Sequence, residues 1–190
     1  MKRILFIVML VVSGMAAQAQ EGQTWYTDMS KAVEASRQEQ KPLFLFFTGS
    51  DWCGWCIRLQ NEVFKTPEFT AWVKDHAILV ELDYPRKTPQ SDEIKQQNGQ
   101  LQQMFEVQGY PTVWFVKPSV KEDGKINLEK LGSTGYVAGG PSKWIESANA
   151  IVKNYVADPK PAPTKAEKKK KRKKQRKRHN QIKDLELKNI

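Results

Sequence analysis

The six residues Pro42-Leu43-Phe44-Leu45-Phe46-Phe47 contain no polar side chain. Side chains along a strand alternate between the two faces of a sheet, so such a run belongs to a central strand that is covered on both sides. Gly49-Ser50-Asp51 then breaks it. Two further runs have the same character. Ala77-Ile78-Leu79-Val80-Glu81-Leu82-Asp83 reads as a second buried strand and Thr112–Val116 as a third.

The segments between these runs have helical spacing. Asp28 is placed to cap a helix running to about Gln40, with Met29, Ala32, Val33 and Ser36 facing the core. Residues from about Gly54 to Lys65 read as a helix. Pro67 opens another, with Phe69, Trp72 and Val73 on one side. A polar excursion from Tyr84 to Ser91 leads into a helix ending near Phe105. Ile126–Leu131 should pair with the third strand across the Glu122-Asp123-Gly124 turn. Pro141 opens a final helix carrying Trp144, Ile145, Ala148, Ile151, Val152 and Tyr155 on one face. Helices alternating with strands, then a hairpin and a closing helix, give a small α/β sandwich with a mixed sheet. Trp72, Trp114 and Trp144 are most simply core.

The 190 residues suit one domain, and the net charge of +10 is unevenly distributed. Residues 20–159 carry −3, whereas residues 160–190 carry +11, so a weakly acidic domain is followed by a cationic tail. Met1-Lys2-Arg3, the nine apolar residues Ile4–Val12 and Ala17-Gln18-Ala19 read as a signal peptide (1–19) cleaved after Ala19. That run is too short to span a hydrocarbon core, which takes about 20 residues. No cysteine follows it, so a released product, periplasmic or secreted, is expected. The domain is expected over 20–157. Asp158-Pro-Lys-Pro-Ala-Pro163 reads as an extended spacer, and residues 165–178 hold eleven Lys/Arg and one acid. The tail over 158–190 is either a solvated, disordered segment or an anchor for an anionic surface or polyanion.

Only two cysteines occur, Cys53 and Cys56, in Trp52-Cys53-Gly54-Trp55-Cys56, after a strand and at the start of a helix. A helix N-terminus favours a thiolate through its unpaired N–H groups and its dipole, which makes Cys53 the expected nucleophile. Cys56, one turn on, suits the resolving thiol that attacks the mixed disulfide. Gly54 and Trp55 set geometry and access between them. A zinc site needs further ligands, and the only histidines, His76 and His179, stand on the far side of a helix and in the tail. No metal or cofactor is expected beyond the Cys53–Cys56 redox pair.

Taken in order, Trp25-Tyr26, Lys41-Pro42, Leu43–Phe47 and Thr48–Cys56 resemble the secreted branch of the thioredoxin-like superfamily, in which the Trp-Tyr pair lies in a helix. Val107-Gln108-Gly109-Tyr110-Pro111-Thr112 resembles that family's loop before the third central strand. The resemblance covers about residues 24–156. It implies the thioredoxin-like three-layer sandwich, a central mixed sheet flanked by helices. It also implies a cis Tyr110–Pro111 peptide facing the cysteines, with the Tyr110 backbone available to an extended substrate strand. Cys53 and Pro111 are 58 residues apart, more than a minimal thioredoxin uses, and the excess falls in the polar stretch 84–100.

The sequence departs from the family in three places. Phe44–Phe47 supplies no acid where thioredoxins bury a carboxylate, so the Cys56 proton must leave through water or another group, Glu81 being the candidate if it faces inward. Gly54-Trp55 matches neither the reductase nor the isomerase dipeptide, and the direction of electron flow stays open. The basic tail lies outside the family pattern.

The function that follows is an exported, monomeric thiol–disulfide oxidoreductase, a reductase or isomerase rather than a primary oxidant. It would act on cysteine-containing proteins and exchange electrons with a separate thiol partner. Trp52, Trp55 and Tyr110 offer apolar surface to an extended peptide, with core packing as the other reading of each. The alternative is a non-catalytic thioredoxin-like binding protein whose tail attaches to an anionic surface or polymer.

Overall fold

The computed structural model describes residues 23–120 and 125–158, together with Arg172 and Arg176. The expected signal peptide, the Glu122–Gly124 turn and nearly all of the basic tail lie outside the described residues.

Five strands form one sheet: β1 (Trp25–Tyr26), β2 (Leu43–Thr48), β3 (Ile78–Asp83), β4 (Thr112–Val120) and β5 (Ile126–Thr134). Their order is β1-β3-β2-β4-β5. The first three are parallel, β4 runs antiparallel to β2, and β5 antiparallel to β4. All six residues of β2 are buried, as the apolar run Leu43–Phe47 requires of the middle strand, with the polar Thr48 buried at its end.

One layer contains α1 (Met29–Glu39) and α4 (Asp92–Met104); the other contains α2 (Gly54–Leu59), α3 (Pro67–His76) and α5 (Gly140–Val152). Asp28 caps α1 by accepting the N–H groups of Ser30 and Lys31, and the buried Met29, Ala32, Val33 and Ser36 line one helical face. Alternation along β2 divides the core. Leu43, Leu45 and Phe47 pack with Met29, Val33, Leu101 and Phe105, while Phe44 and Phe46 pack with both cysteines, Phe64, Phe69 and Trp144. Among the described residues no helix is long and apolar enough to cross a membrane.

Several local expectations are corrected. Trp25-Tyr26 is a strand, not helical: its two side chains leave opposite faces, Trp25 joining the cysteine-side cluster and Tyr26 the other. The helix expected to Lys65 becomes π-helical over Gln60–Phe64, closed by Lys65 N–H to the Gln60 carbonyl at 2.9 Å. β4 continues past Pro118 to Val120. Proline is tolerated there because β2 pairs only with Thr112–Val116, which leaves that stretch of β4 hydrogen-bonded to β5 alone. β5 likewise reaches Thr134 instead of stopping at Leu131. The last helix ends at Val152, short of Tyr155, and Trp114 is only partly buried, with the Lys130 ammonium 5.4 Å from its ring centroid.

Candidate active site

β2 ends at Thr48, and the chain turns sharply so that the Trp52 and Cys53 N–H groups both donate to the Gly49 carbonyl, at 3.3 and 2.9 Å. The Trp52 indole lies on this turn. A Cβ on Gly49 would come within 2.4 Å of the indole, so only glycine leaves room. Cys53 is the N-cap of α2, its Sγ accepting the Cys56 N–H at 3.2 Å. The two sulfurs are joined in a disulfide, with 6% of Cys53 and none of Cys56 exposed.

Two other loops reach this helix start. The Tyr110–Pro111 peptide is cis, and Thr112 Oγ1 donates to the Gly109 carbonyl at 2.7 Å. Tyr110 meets Trp52 edge-on at 5.5 Å between ring centroids and Tyr84 at 5.3 Å. Gly135, after β5, approaches so closely that a Cβ would stand 3.2 Å from the Pro111 carbonyl. Its own carbonyl accepts Trp144 Nε1 at 3.0 Å.

The two tryptophans of the motif are used differently. Trp52 is built in: Nε1 donates to the Tyr84 carbonyl at 2.8 Å, Tyr110 abuts one edge, and the Arg86 guanidinium lies 4.1 Å from the ring centroid. Trp55 is 55% exposed, and Ile57, two residues on in the same helix, is 44% exposed. Trp55 touches Tyr136 at 5.2 Å and the Arg58 guanidinium at 5.4 Å. Glu62 ties this group together, accepting Arg58 Nε at 2.7 Å and the Tyr136 hydroxyl at 2.5 Å. Those two bonds hold the Glu62 pKa below the ordinary carboxylate range. A Cβ on Gly54 would meet nothing within 4 Å, so glycine there leaves the approach uncovered and is not demanded by packing.

Of the residues the sequence pointed to, the fold gathers Trp52, Cys53, Gly54, Trp55 and Cys56 at the start of α2, with Tyr110 and Pro111 reaching them through the Tyr110–Trp52 contact. The sequence did not point to Tyr136, Arg86 or the role of Asp51, which meet the motif only through the tertiary fold. The Arg58–Glu62 pair was readable as an i,i+4 helical spacing.

Glu81 stands opposite Phe46 in the sheet and shares a face with Leu79, on the cysteine side. It is half-buried, and that burial, together with the nearby Asp83 charge, raises its pKa above that of an ordinary glutamate. Thr48 alternates onto the same face, its hydroxyl buried without a hydrogen-bond partner. Among the described residues no group of three or more His, Cys, Asp or Glu side chains could hold a metal ion. His76 instead stacks on Trp72 at 4.9 Å and hydrogen-bonds the Trp72 carbonyl.

A parallel–antiparallel sheet between two helical layers, with a Cys-x-x-Cys disulfide at a helix start and a cis-proline loop beside it, defines the thioredoxin fold. Residues 24–118 match the Thioredoxin-like family model, and the chain belongs to that family. It is 38% identical over 109 residues to "Disulfide bond reductase DsbH" of Chlamydia pneumoniae, covering 57% of this chain and 66% of that protein. Over 115 residues it is 31% identical to "Thioredoxin-related protein DsbJ" of the same organism, covering 60% of this chain and 32% of the relative. Among solved structures, one described as "DsbH Oxidoreductase" is 32% identical with a TM-score of 0.60, covering 77% of this chain and 99% of that one. The matched segments thus span just under two thirds and one third of the two curated relatives.

Proposed function

We propose that this chain is an exported protein-disulfide oxidoreductase that reduces or isomerises disulfides in other proteins. The observation that carries the reading is Cys53 Sγ at the start of α2, within hydrogen-bond reach of the Cys56 N–H, while Cys56 lies wholly buried behind it. In the reduced protein the same N–H and the helix dipole stabilise the Cys53 thiolate.

That thiolate attacks one sulfur of a substrate disulfide, forming a mixed disulfide and releasing the first substrate thiolate, which takes up a proton. Cys56 then loses its proton and attacks Cys53 Sγ. The second substrate thiol leaves, and the Cys53–Cys56 disulfide holds the two-electron oxidation. A thiol donor outside the chain returns the pair to the dithiol, so no cofactor beyond the two cysteines enters. Trp55, Ile57 and the Tyr110 backbone form the surface for the substrate segment, and Trp52 positions Tyr110. The leader-like start of the sequence supports a periplasmic or secreted location. The reductase name of one relative supports electron flow toward the substrate.

The test is an equilibrium titration of the mature chain against glutathione, followed by tryptophan fluorescence. A potential near about −270 mV marks a reductant, and one of about −120 to −180 mV an oxidant or isomerase. A pair that cannot be cycled, or that exchanges with a model disulfide no faster than a free thiol, rules the reading out.

A further inference from the structure

Nothing in the proposed reaction uses the Tyr84–Ser91 stretch, part of the excess spacing between Cys53 and Pro111. In the fold it is an arm that leaves the end of β3 and lies against the active-site turn. The Tyr84 N–H donates to the Thr48 carbonyl at 2.9 Å, and the Tyr84 carbonyl receives Trp52 Nε1 at 2.8 Å. Asp51 accepts the N–H groups of Arg86, Lys87 and Thr88 at 3.0, 2.7 and 3.0 Å. Farther along, Gln90 Nε2 donates to the Asp83 carbonyl at 3.1 Å.

A loop fastened this often holds its side chains in place, and the one it carries to the motif is Arg86, 4.1 Å from the ring centroid of the residue preceding Cys53. A guanidinium stacked on an indole keeps its N–H edges free for a carboxylate. Among the described residues neither Arg86 nor Lys87 has a carboxylate side chain as an ion-pair partner, whereas Arg58 at the other tryptophan is paired with Glu62. Asp51, close by, has both carboxylate oxygens occupied by the arm's own backbone. Two cations without a carboxylate ion-pair partner among the described residues therefore stand on the arm, Arg86 against the indole that precedes Cys53, in a segment, 20–159, whose net charge is −3.

We propose that this arm selects the substrate: Arg86, with Lys87 beside it, binds an aspartate or glutamate flanking the substrate cysteine and so presents that cysteine's sulfur to Cys53. The inference rests on the oxidoreductase reading above and adds no covalent step to it. The partner it fits is a cysteine-bearing segment with an acidic flank.

The experiment uses the mature chain, recycled by dithiothreitol, and three disulfide peptides identical except for Glu, Gln or Lys beside one cysteine. Each rate is divided by that of dithiothreitol alone, which removes the intrinsic reactivity of each disulfide. Expected is a kcat/KM about fivefold higher for the Glu peptide than for the Gln peptide at low salt, with the Lys peptide slowest. The spread should shrink at about 0.5 M NaCl. Arg86→Glu should invert the order and Arg86→Lys should keep it. Because the readout is a ratio between peptides within one protein, a shifted potential or partial unfolding of a variant cancels. Equal rates for the three peptides, or an order that Arg86→Glu leaves unchanged, overturns the selection while leaving the oxidoreductase reading standing. Failure to turn over any peptide overturns both.

Discussion

In the proposed reaction Cys56 must lose a proton before it attacks Cys53, yet it has no exposed surface from which to lose it. Glu81, Asp83 and Thr48 are the polar side chains that β3 and β2 place on its side of the sheet. Asp83 is taken up by the Ser50 N–H and hydroxyl, whereas Glu81 is a carboxylate whose pKa is raised by burial, a stronger base than an ordinary glutamate. Glu81→Gln is expected to slow resolution of the mixed disulfide by about 100-fold while sparing the first attack, as rapid-quench kinetics would show. Wild-type resolution should quicken as pH rises through the raised Glu81 pKa, and the variant should lack that limb. Folding raises this pKa, so Glu81's contribution to stability is complete below the ordinary glutamate value and is lost as pH rises through the folded one. The variant should therefore be the more stable protein once pH has risen above the folded Glu81 pKa. Asp51 has the opposite sign. Its pKa is lowered to about 2 by the amides of Arg86 and Lys87, so it steadies the arm above the ordinary aspartate range and ceases to do so as pH falls through about 2. Amide chemical shifts of Arg86, Lys87 and Thr88 should titrate together with that midpoint.

Elements with a strong local signature were legible in the sequence. Asp28, Thr66 with Pro67, and Ser91 each begin a helix by side-chain acceptance of a backbone N–H, and the apolar run Leu43–Phe47 announces the burial of β2. Trp25-Tyr26 was not legible, because two residues carry no period and only pairing with Leu79 and Val80 makes them a strand. The π-helical turn was hidden for a related reason: nothing in Gln60–Phe64 marks the bond from Lys65 N–H to the Gln60 carbonyl that closes it, nor the hydroxyl and N–H of Thr66 that both donate to the Val63 carbonyl just after it. The contacts that shape the site, Arg86 on Trp52 and Tyr136 on Trp55, join loops from different parts of the chain and leave no mark on periodicity. α5 connects core to site through Trp144, whose buried ring lies 5.3 Å from Phe64 and 5.6 Å from Phe69 and whose Nε1 holds the Gly135 carbonyl. Trp144→Ala should cost about 3–5 kcal/mol in urea unfolding. Trp144→Phe should cost less yet still free Gly135 beside Pro111.

At the scale of the whole molecule, charge and chemistry are separated along the chain. The redox pair, the aromatic core and the cis-proline loop fall within the acidic segment, and the run of lysines and arginines begins only after Asp158, whose carboxylate is held by Lys117 at 2.7 Å. If the tail is an anchor, deleting residues 160–190 should release the protein from anionic vesicles or polyanions in a salt-sensitive assay while leaving its disulfide-exchange rate within about twofold. Under the binding-protein reading, in which the tail is the working part, the full chain should exchange disulfides no faster than a free thiol and the deletion should abolish its binding.

The wholly buried Cys56 gives the redox pair a single doorway. In the proposed reaction a partner can reach only Cys53, so the protein that would deliver electrons and the protein that would receive them must come and go through the same opening and can never be aboard together. Turnover then alternates, with each partner competing against the other for the form of the enzyme it cannot use. Double-reciprocal plots should be parallel, and an excess of either partner should slow the cycle it feeds.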